Sequence, residues 1–156
     1  MRFRKTFFII LAGLLCGCSH DDFTKGRGDV GQFIVQQAVT RSGLSIPTNG
    51  LPAIRGSWRY SEDDQGVIIQ MSREQYPAVE TLLRQAFGEP NFGPDDTKDG
   101  GKLGGYRLTP KGGAIQFGYN AGCTQVIILR PLTKQEFSEA FQKAVPDKKF
   151  LENLNK

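Results

Sequence analysis

Histidine is nearly absent from this sequence. His20 is the only one in 156 residues. It lies close to the N-terminus, where a base is hard to hold against a folded site. That argues against a Ser-His or Cys-His nucleophile pair and against a histidine-based zinc site. No G-x-S-x-G, P-loop or G-x-G-x-x-G stretch occurs either. Long apolar runs are missing too: the longest, FFIILAGLL from Phe7 to Leu15, falls well short of the about 20 residues that span a bilayer. Charge of one sign is also lacking. The formal net charge is +4, and residues 1–17 carry Arg2, Arg4 and Lys5 with no acidic partner, so the rest of the chain is near +1. The signs are interspersed, with no basic stripe of the kind nucleic acid requires; no nucleic-acid partner is expected. Cysteine is scarce: Cys16, Cys18 and Cys123.

What is present is a positively charged start, MRFRK, followed by the apolar run and LLCGCSH. This is the n-region and h-region of a secretory signal. A disulfide between Cys16 and Cys18 would close a strained, very small ring, and a metal site would need two further ligands that are not nearby. Leu15-Cys16-Gly17-Cys18 instead resembles the lipobox of bacterial lipoproteins, with an aliphatic residue at −3, a small residue at −1 and cysteine at +1. Cys16 at −2 departs from the commoner Ala, Ser or Thr. The resemblance covers about the first 18 residues and implies cleavage between Gly17 and Cys18, then acylation of Cys18. Two or three acyl chains anchor stably where one holds marginally. Ser19 at +2, in place of the Asp that retains such proteins at the inner membrane of enteric bacteria, implies the outer membrane facing the periplasm if the host is Gram-negative. Cys16 would leave with the signal, so Cys123 is expected to stand alone, with no internal disulfide.

The sequence divides into 1–17, a signal peptide; 18–32, the lipidated cysteine and a polar, glycine-bearing tether; and 33–156, one domain. The 139 residues left after cleavage can bury roughly 68% of their unfolded surface, enough for a single core. Arg27-Gly28-Asp29 spells a cell-adhesion tripeptide, read here as part of the tether.

FIVQQAV, 33–39, reads as a short helix, with a strand as the alternative; 42–52 is loop. SWRYS, 57–61, and GVIIQM, 66–71, form a hairpin. Ser72 and Gln75 suit a capping box opening a helix whose Tyr76, Val79, Leu82, Leu83, Ala86 and Phe87 fall on one stripe. Gly88 and Pro90 stop it. Pro77 conflicts with a start at Ser72 and agrees with one near Tyr76. Residues 91–105 read as a long loop. YRLT, 106–109, AIQFGYN, 114–120, and CTQVIIL, 123–129, are strands, the last central and buried. A second helix starts at Thr133 with a capping box to Glu136 and a stripe of Phe137, Phe141, Ala144 and Val145; a short helix follows Pro146. VIIQMSREQY echoes VIILRPLTKQEF, hinting at two β-β-α units. The fold class expected is α+β: a two-layer sandwich with an antiparallel sheet of about five strands and two main helices on one face.

Candidate chemistry is thin. Glu62, Asp63 and Asp64 crowd one turn, and Asp95 and Asp96 another; with Glu89 they are the carboxylates a glycosidase would draw on, although turns favour Asp for backbone reasons. DDTKDGG, 95–101, matches the start of a calcium loop but has Tyr106 where its closing Glu belongs. Cys123 reads as a packed strand residue. Trp58, Tyr106, Arg107, Lys111, Phe117 and Tyr119 are core if they face inward and a binding surface if outward. No catalytic residue, metal or cofactor is assigned. The functional expectation is a non-catalytic binding or assembly module of the cell envelope, held to the membrane by its lipid and acting on an envelope protein partner. The alternative is a periplasmic inhibitor or immunity-type protein whose loop 91–105 plugs an enzyme cleft.

Overall fold

A computed structural model of the protein describes residues 23–108 and 112–136. Gly17 and Cys18, where the lipobox is expected, Lys111, and the helix expected beyond Glu136 lie outside that range.

The described chain runs β1 (Thr24–Lys25), α1 (Val30–Ser42), β2 (Trp58–Glu62), β3 (Gly66–Met71), a 3-10 turn (Arg73–Gln75), α2 (Tyr76–Phe87), β4 (Phe92–Asp96), β5 (Lys102–Arg107), β6 (Ala114–Tyr119) and β7 (Thr124–Leu129). The strands form one sheet in the order β1-β2-β3-β7-β6-β5-β4, and every pair is antiparallel. The α+β class therefore holds, with seven strands where about five were expected. The two missed strands are the two edges. β1 is too short to show a period, and β4 is Phe-Gly-Pro-Asp-Asp, poor in strand-forming residues and tolerable only where half its backbone needs no partner.

β7 is the middle strand, as its apolar run suggested. It lies against β3 with Val67 opposite Ile128, Ile68 opposite Ile127 and Ile69 opposite Val126. The two Val-Ile-Ile triplets thus pair with each other, head to tail, at the centre of the sheet.

Strand alternation sends Trp58, Val67, Ile69, Met71, Tyr106, Ile115, Phe117, Val126 and Ile128 to one face, where they form the core with α1 and α2. From α1 come Val30, Ile34, Val35 and Ala38; from α2 come Tyr76, Val79, Leu82 and Leu83. Burying each large apolar side chain stabilises the fold by about 1.5–3 kcal/mol. The α2 stripe is the expected one, and the α-helix starts at Tyr76 with Pro77 in its first turn, where a missing N–H costs no intrahelical bond.

The tether reading of 18–32 gives way over its second half. Thr24 and Lys25 pair with Tyr60 and Arg59, and α1 begins at Val30 with Asp29 as its N-cap. The helix continues to Ser42, where Gly43, at φ 68°, returns its N–H to the Val39 carbonyl. A left-handed cap of this kind favours glycine. The start of the helix after β7 is as expected: Thr133 Oγ1 accepts from the Glu136 N–H at 3.1 Å, and Glu136 Oε2 accepts from the Thr133 N–H at 2.9 Å.

Candidate functional site

Helix α1 turns Val30, Ile34 and Ala38 into the core. Val35 and Val39 lie on its flank, and Gln32, Gln36 and Thr40, four apart, make a polar row beside them. Beyond Gly43 the chain doubles back along this flank. The returning segment is fixed at both ends. Ser42 Oγ accepts from the Leu44 N–H at 3.3 Å, and Asp29 Oδ1 accepts from the Ile54 N–H at 2.8 Å. Between these points the backbone of residues 45–53 makes no hydrogen bond to another described residue. Chain and helix enclose a groove of about 520 Å³. Val35, Val39, Leu44, Ile46 and Leu51 give it an apolar floor; Gln32, Gln36, Thr40, Ser45, Thr48 and Asn49 give it a rim of amides and hydroxyls.

Among the described residues, the only ionisable group lining the groove is Asp29. Its Oδ1 also accepts from the Gly31 N–H at 2.8 Å, so it is committed to the backbone at the groove's end. Beyond that carboxylate, the described residues that line the groove are uncharged and include no thiol or carboxylate pair. What it offers is shape, apolar contact and uncharged hydrogen-bonding groups, which serve binding.

A second hollow of about 430 Å³ lies near β1, lined by Phe23, Lys25, Arg59, Gln70 and Cys123 among others. Its guanidinium is engaged: Arg59 Nε donates to Gln70 Oε1 at 3.0 Å and the group sits 4.8 Å from the Phe23 ring centroid.

The carboxylates do not converge. Asp63 Oδ1 accepts from the N–H groups of Gln65 and Gly66 and shapes the β2–β3 turn. Glu62 meets Arg41 at 3.4 Å. Glu89 pairs with Arg84, which also holds Glu80. Asp95 and Asp96 lie on edge strand β4, separated from β2 by four strands. As neighbours on one strand, they point to opposite faces. Among the described residues no group of three potential metal ligands occurs. The calcium-loop match is a hairpin turn in which Thr97 Oγ1 accepts from the Gly101 N–H and the Thr97 N–H donates to the Gly101 carbonyl. The supposed cleft-plugging loop 91–105 is largely β4 and β5 themselves.

The aromatics face inward. Trp58 packs against Phe33 and Tyr60, and Tyr106, Phe117, Tyr76 and Tyr119 form a continuous chain of rings. Burial pushes the Tyr106 hydroxyl up to about 12, where it donates to the Gly88 carbonyl at 3.0 Å. Burial, with Glu80 adding its charge, raises Tyr76 further. Both are packing residues. The expectation for Cys123 is overturned: it is disulfide-bonded. The other cysteines of the chain are Cys16 and Cys18. A thiol joined to Cys123 carries no lipid, so the bonded chain and a chain acylated at Cys18 through that same thiol are different covalent forms.

Sequence reading misses the groove: a short helix at 33–39 leaves Gln32 in the tether, so the Gln32, Gln36, Thr40 row, visible in its four-residue spacing once α1 is known, goes unread; the return of 44–52 across it has no period and depends on the remote Asp29–Ile54 contact. No protein-family model matches the chain, and no curated protein or solved structure matches it either.

Proposed function

We propose that the protein is a lipoprotein of the cell envelope, anchored through Cys18, whose domain is a non-catalytic binding or assembly module. In this reading the groove between α1 and residues 44–52 receives an uncharged, partly apolar segment of an envelope protein. The observation that carries it is the groove itself: an apolar floor, a rim of amides and hydroxyls, and a single carboxylate already committed to the backbone. A charged ligand would lose its hydration there without gaining a counter-charge, whereas an apolar segment is favoured by the floor. Open backbone groups along 45–53 suit an extended peptide, which pairs through its main chain. No described helix is long and apolar enough to cross a membrane.

The test is crosslinking in intact cells of the native host, with mass spectrometry of what co-purifies, beside a Cys18→Ser form. One abundant envelope partner that is lost without the anchor supports the proposal. A turnover activity that survives purification and dies with a point mutation in the domain sinks it.

An inhibitor role keeps one supporting observation. Phe92 on edge strand β4 is the exposed large apolar side chain among the described residues, at 50%, and could seat in another protein's cleft. If Phe92→Ala abolishes inhibition of a wall-degrading or toxic enzyme while Gln36→Arg does not, this second reading replaces the first.

A further inference from the structure

The fold gathers at one end of the sheet cations that the sequence scatters. The start of β2 and the end of β3 meet there, with Trp58 opposite Met71, and β1 joins them with Lys25 opposite Arg59. The Gly26 N–H donates to the Trp58 carbonyl, which puts Arg27 just beyond this end. Arg55 precedes β2 and Arg73 follows β3. Their segments are tied together where Gln75 Nε2 donates to the Arg55 carbonyl at 2.7 Å. Lys25, Arg27, Arg55 and Arg73 are all exposed. None of them makes an ion pair among the described residues; the ion pairs there belong to Arg41, Arg84 and Arg130. Arg73 lies over the Tyr119 ring, 5.0 Å from its centroid. Nearby, Asp29 is committed to the backbone, and Glu74 is the exposed acid. Both helices begin at this end, so their dipoles add to the positive potential. The β2–β3 turn at the opposite end carries Glu62, Asp63 and Asp64. Toward β4 the basic end becomes mixed, with Lys98 and Lys102 in the same hairpin as Asp96 and Asp99.

We infer that this basic end docks on the anionic phospholipid headgroups of the membrane that holds the anchor. The docking rests on the lipoprotein reading, in which Cys18 carries the lipid. Thr24 is six residues beyond Cys18, so at most about 20 Å of extended chain separates the lipid from β1. That length keeps Lys25 and Arg27 within reach of the headgroups. Anionic lipid attracts such cations over about a Debye length, about 8 Å at physiological salt. Residues 18–22 include Asp21 and Asp22, whose charges oppose the attraction, so the cations of the domain carry it. The six residues of β3 extend roughly 20 Å. The Glu62–Asp64 turn therefore stays outside the Debye range when Arg55 and Arg73 touch the surface. Helix α1 rises from this end to Glu62, which Arg41 meets, so the groove runs up from the docked end and stays open to its partner.

The test uses the full acylated protein, purified from its host and reconstituted into two kinds of vesicle. One is phosphatidylcholine alone; the other is phosphatidylcholine and phosphatidylglycerol in equal parts. Flotation reports the anchor, and a photo-crosslinker at position 57, between Arg55 and Trp58, reports the docking. The expected result is flotation with both vesicles and about tenfold more lipid capture from position 57 in the anionic ones. That excess should fade in about 0.5 M salt. It should be absent from position 64, at the opposite end. Arg55→Glu combined with Arg73→Glu should cut the excess by more than about tenfold while flotation and Trp58 fluorescence are unchanged. Flotation with equal capture from the two vesicles, or from positions 57 and 64, overturns the docking and leaves the anchor standing. A protein that floats with neither vesicle overturns the anchor, and the docking with it.

Discussion

Ile54 is joined to Asp29 by one hydrogen bond and to Val30, the residue after Asp29, by another. The Ile54 N–H donates to Asp29 Oδ1 at 2.8 Å, and the Ile54 carbonyl accepts from the N–H of Val30, the next residue, at 3.1 Å. The same carboxylate oxygen caps α1 through Gly31. One side chain thus starts the helix that forms one wall of the groove and pins the chain that forms the other. It also explains why Arg27-Gly28-Asp29 is no adhesion motif: its acid is turned inward to the backbone.

Asp29→Ala should therefore cost more than an ordinary N-cap. Loss of the cap is worth about 0.5–2 kcal/mol, and the stranded Ile54 N–H adds about 1 kcal/mol or more. Asp29→Asn keeps an acceptor and should cost less. Urea unfolding read by Trp58 fluorescence checks the order; equal losses for the two variants would contradict it.

A second prediction concerns the far edge of the sheet. Phe92 is opposite Gly105, and its ring occupies the space a Cβ at Gly105 would take. Gly105→Val should displace the ring and cost about 1–3 kcal/mol through overpacking. In a Phe92→Ala background the same substitution should cost less, the loss that remains coming from the Ile115 carbonyl oxygen 2.9 Å from that Cβ. A thermal-melt cycle over the four proteins measures the coupling; additive losses would refute the contact.

These residues also show what was legible. The stripe Tyr76, Val79, Leu82, Leu83 and the triplets 67–69 and 126–128 are periodic and apolar, so burial alone selects their structure. Phe92-Gly-Pro-Asp-Asp lies against β5 where two glycines leave room for it: a Cβ at Gly105 would meet the Phe92 ring, and one at Gly104 would stand 3.2 Å from Pro94 Cα. That reason lies in another segment, and no local pattern carries it. The groove is a mixed case, one wall periodic and the other held by a contact 25 residues away. The disulfide of Cys123 was hidden because the lipobox reading disposed of both other cysteines.

The acid and alkaline limits follow from two side chains. The Arg130 hydrogen bond, then the Thr133 N–H, holds Glu136 down at about 2 from an ordinary 4.5. A depressed carboxylate stabilises the fold above its unfolded value, and that contribution is lost as pH falls from about 4.5 through about 2. Glu136→Gln should flatten stability against pH in that window. Tyr106 behaves oppositely: raised from 10 to about 12, it stays protonated in the fold while the unfolded chain ionises. Stability should fall as pH rises from about 10 through about 12, and Tyr106→Phe should reduce the slope. Unfolding midpoints across both windows decide the matter; unchanged slopes in the variants would contradict the assignments.

The anchor makes its own prediction. Cys18→Ser should abolish incorporation of labelled fatty acid and release the protein from the membrane fraction. Labelling that persists in Cys18→Ser would overturn the lipobox assignment.

The most direct test of the central claim is photo-crosslinking from the groove rim in intact cells of the native host. A crosslinker at position 36 should capture one envelope protein, and one at position 107, on the far side of the sheet, should not. Adding Leu51→Asp, which places a charge in the groove floor, should abolish the capture while Trp58 fluorescence reports an intact fold. Equal capture from positions 36 and 107, or capture from position 36 that survives Leu51→Asp, would contradict an apolar-floored, partner-binding groove.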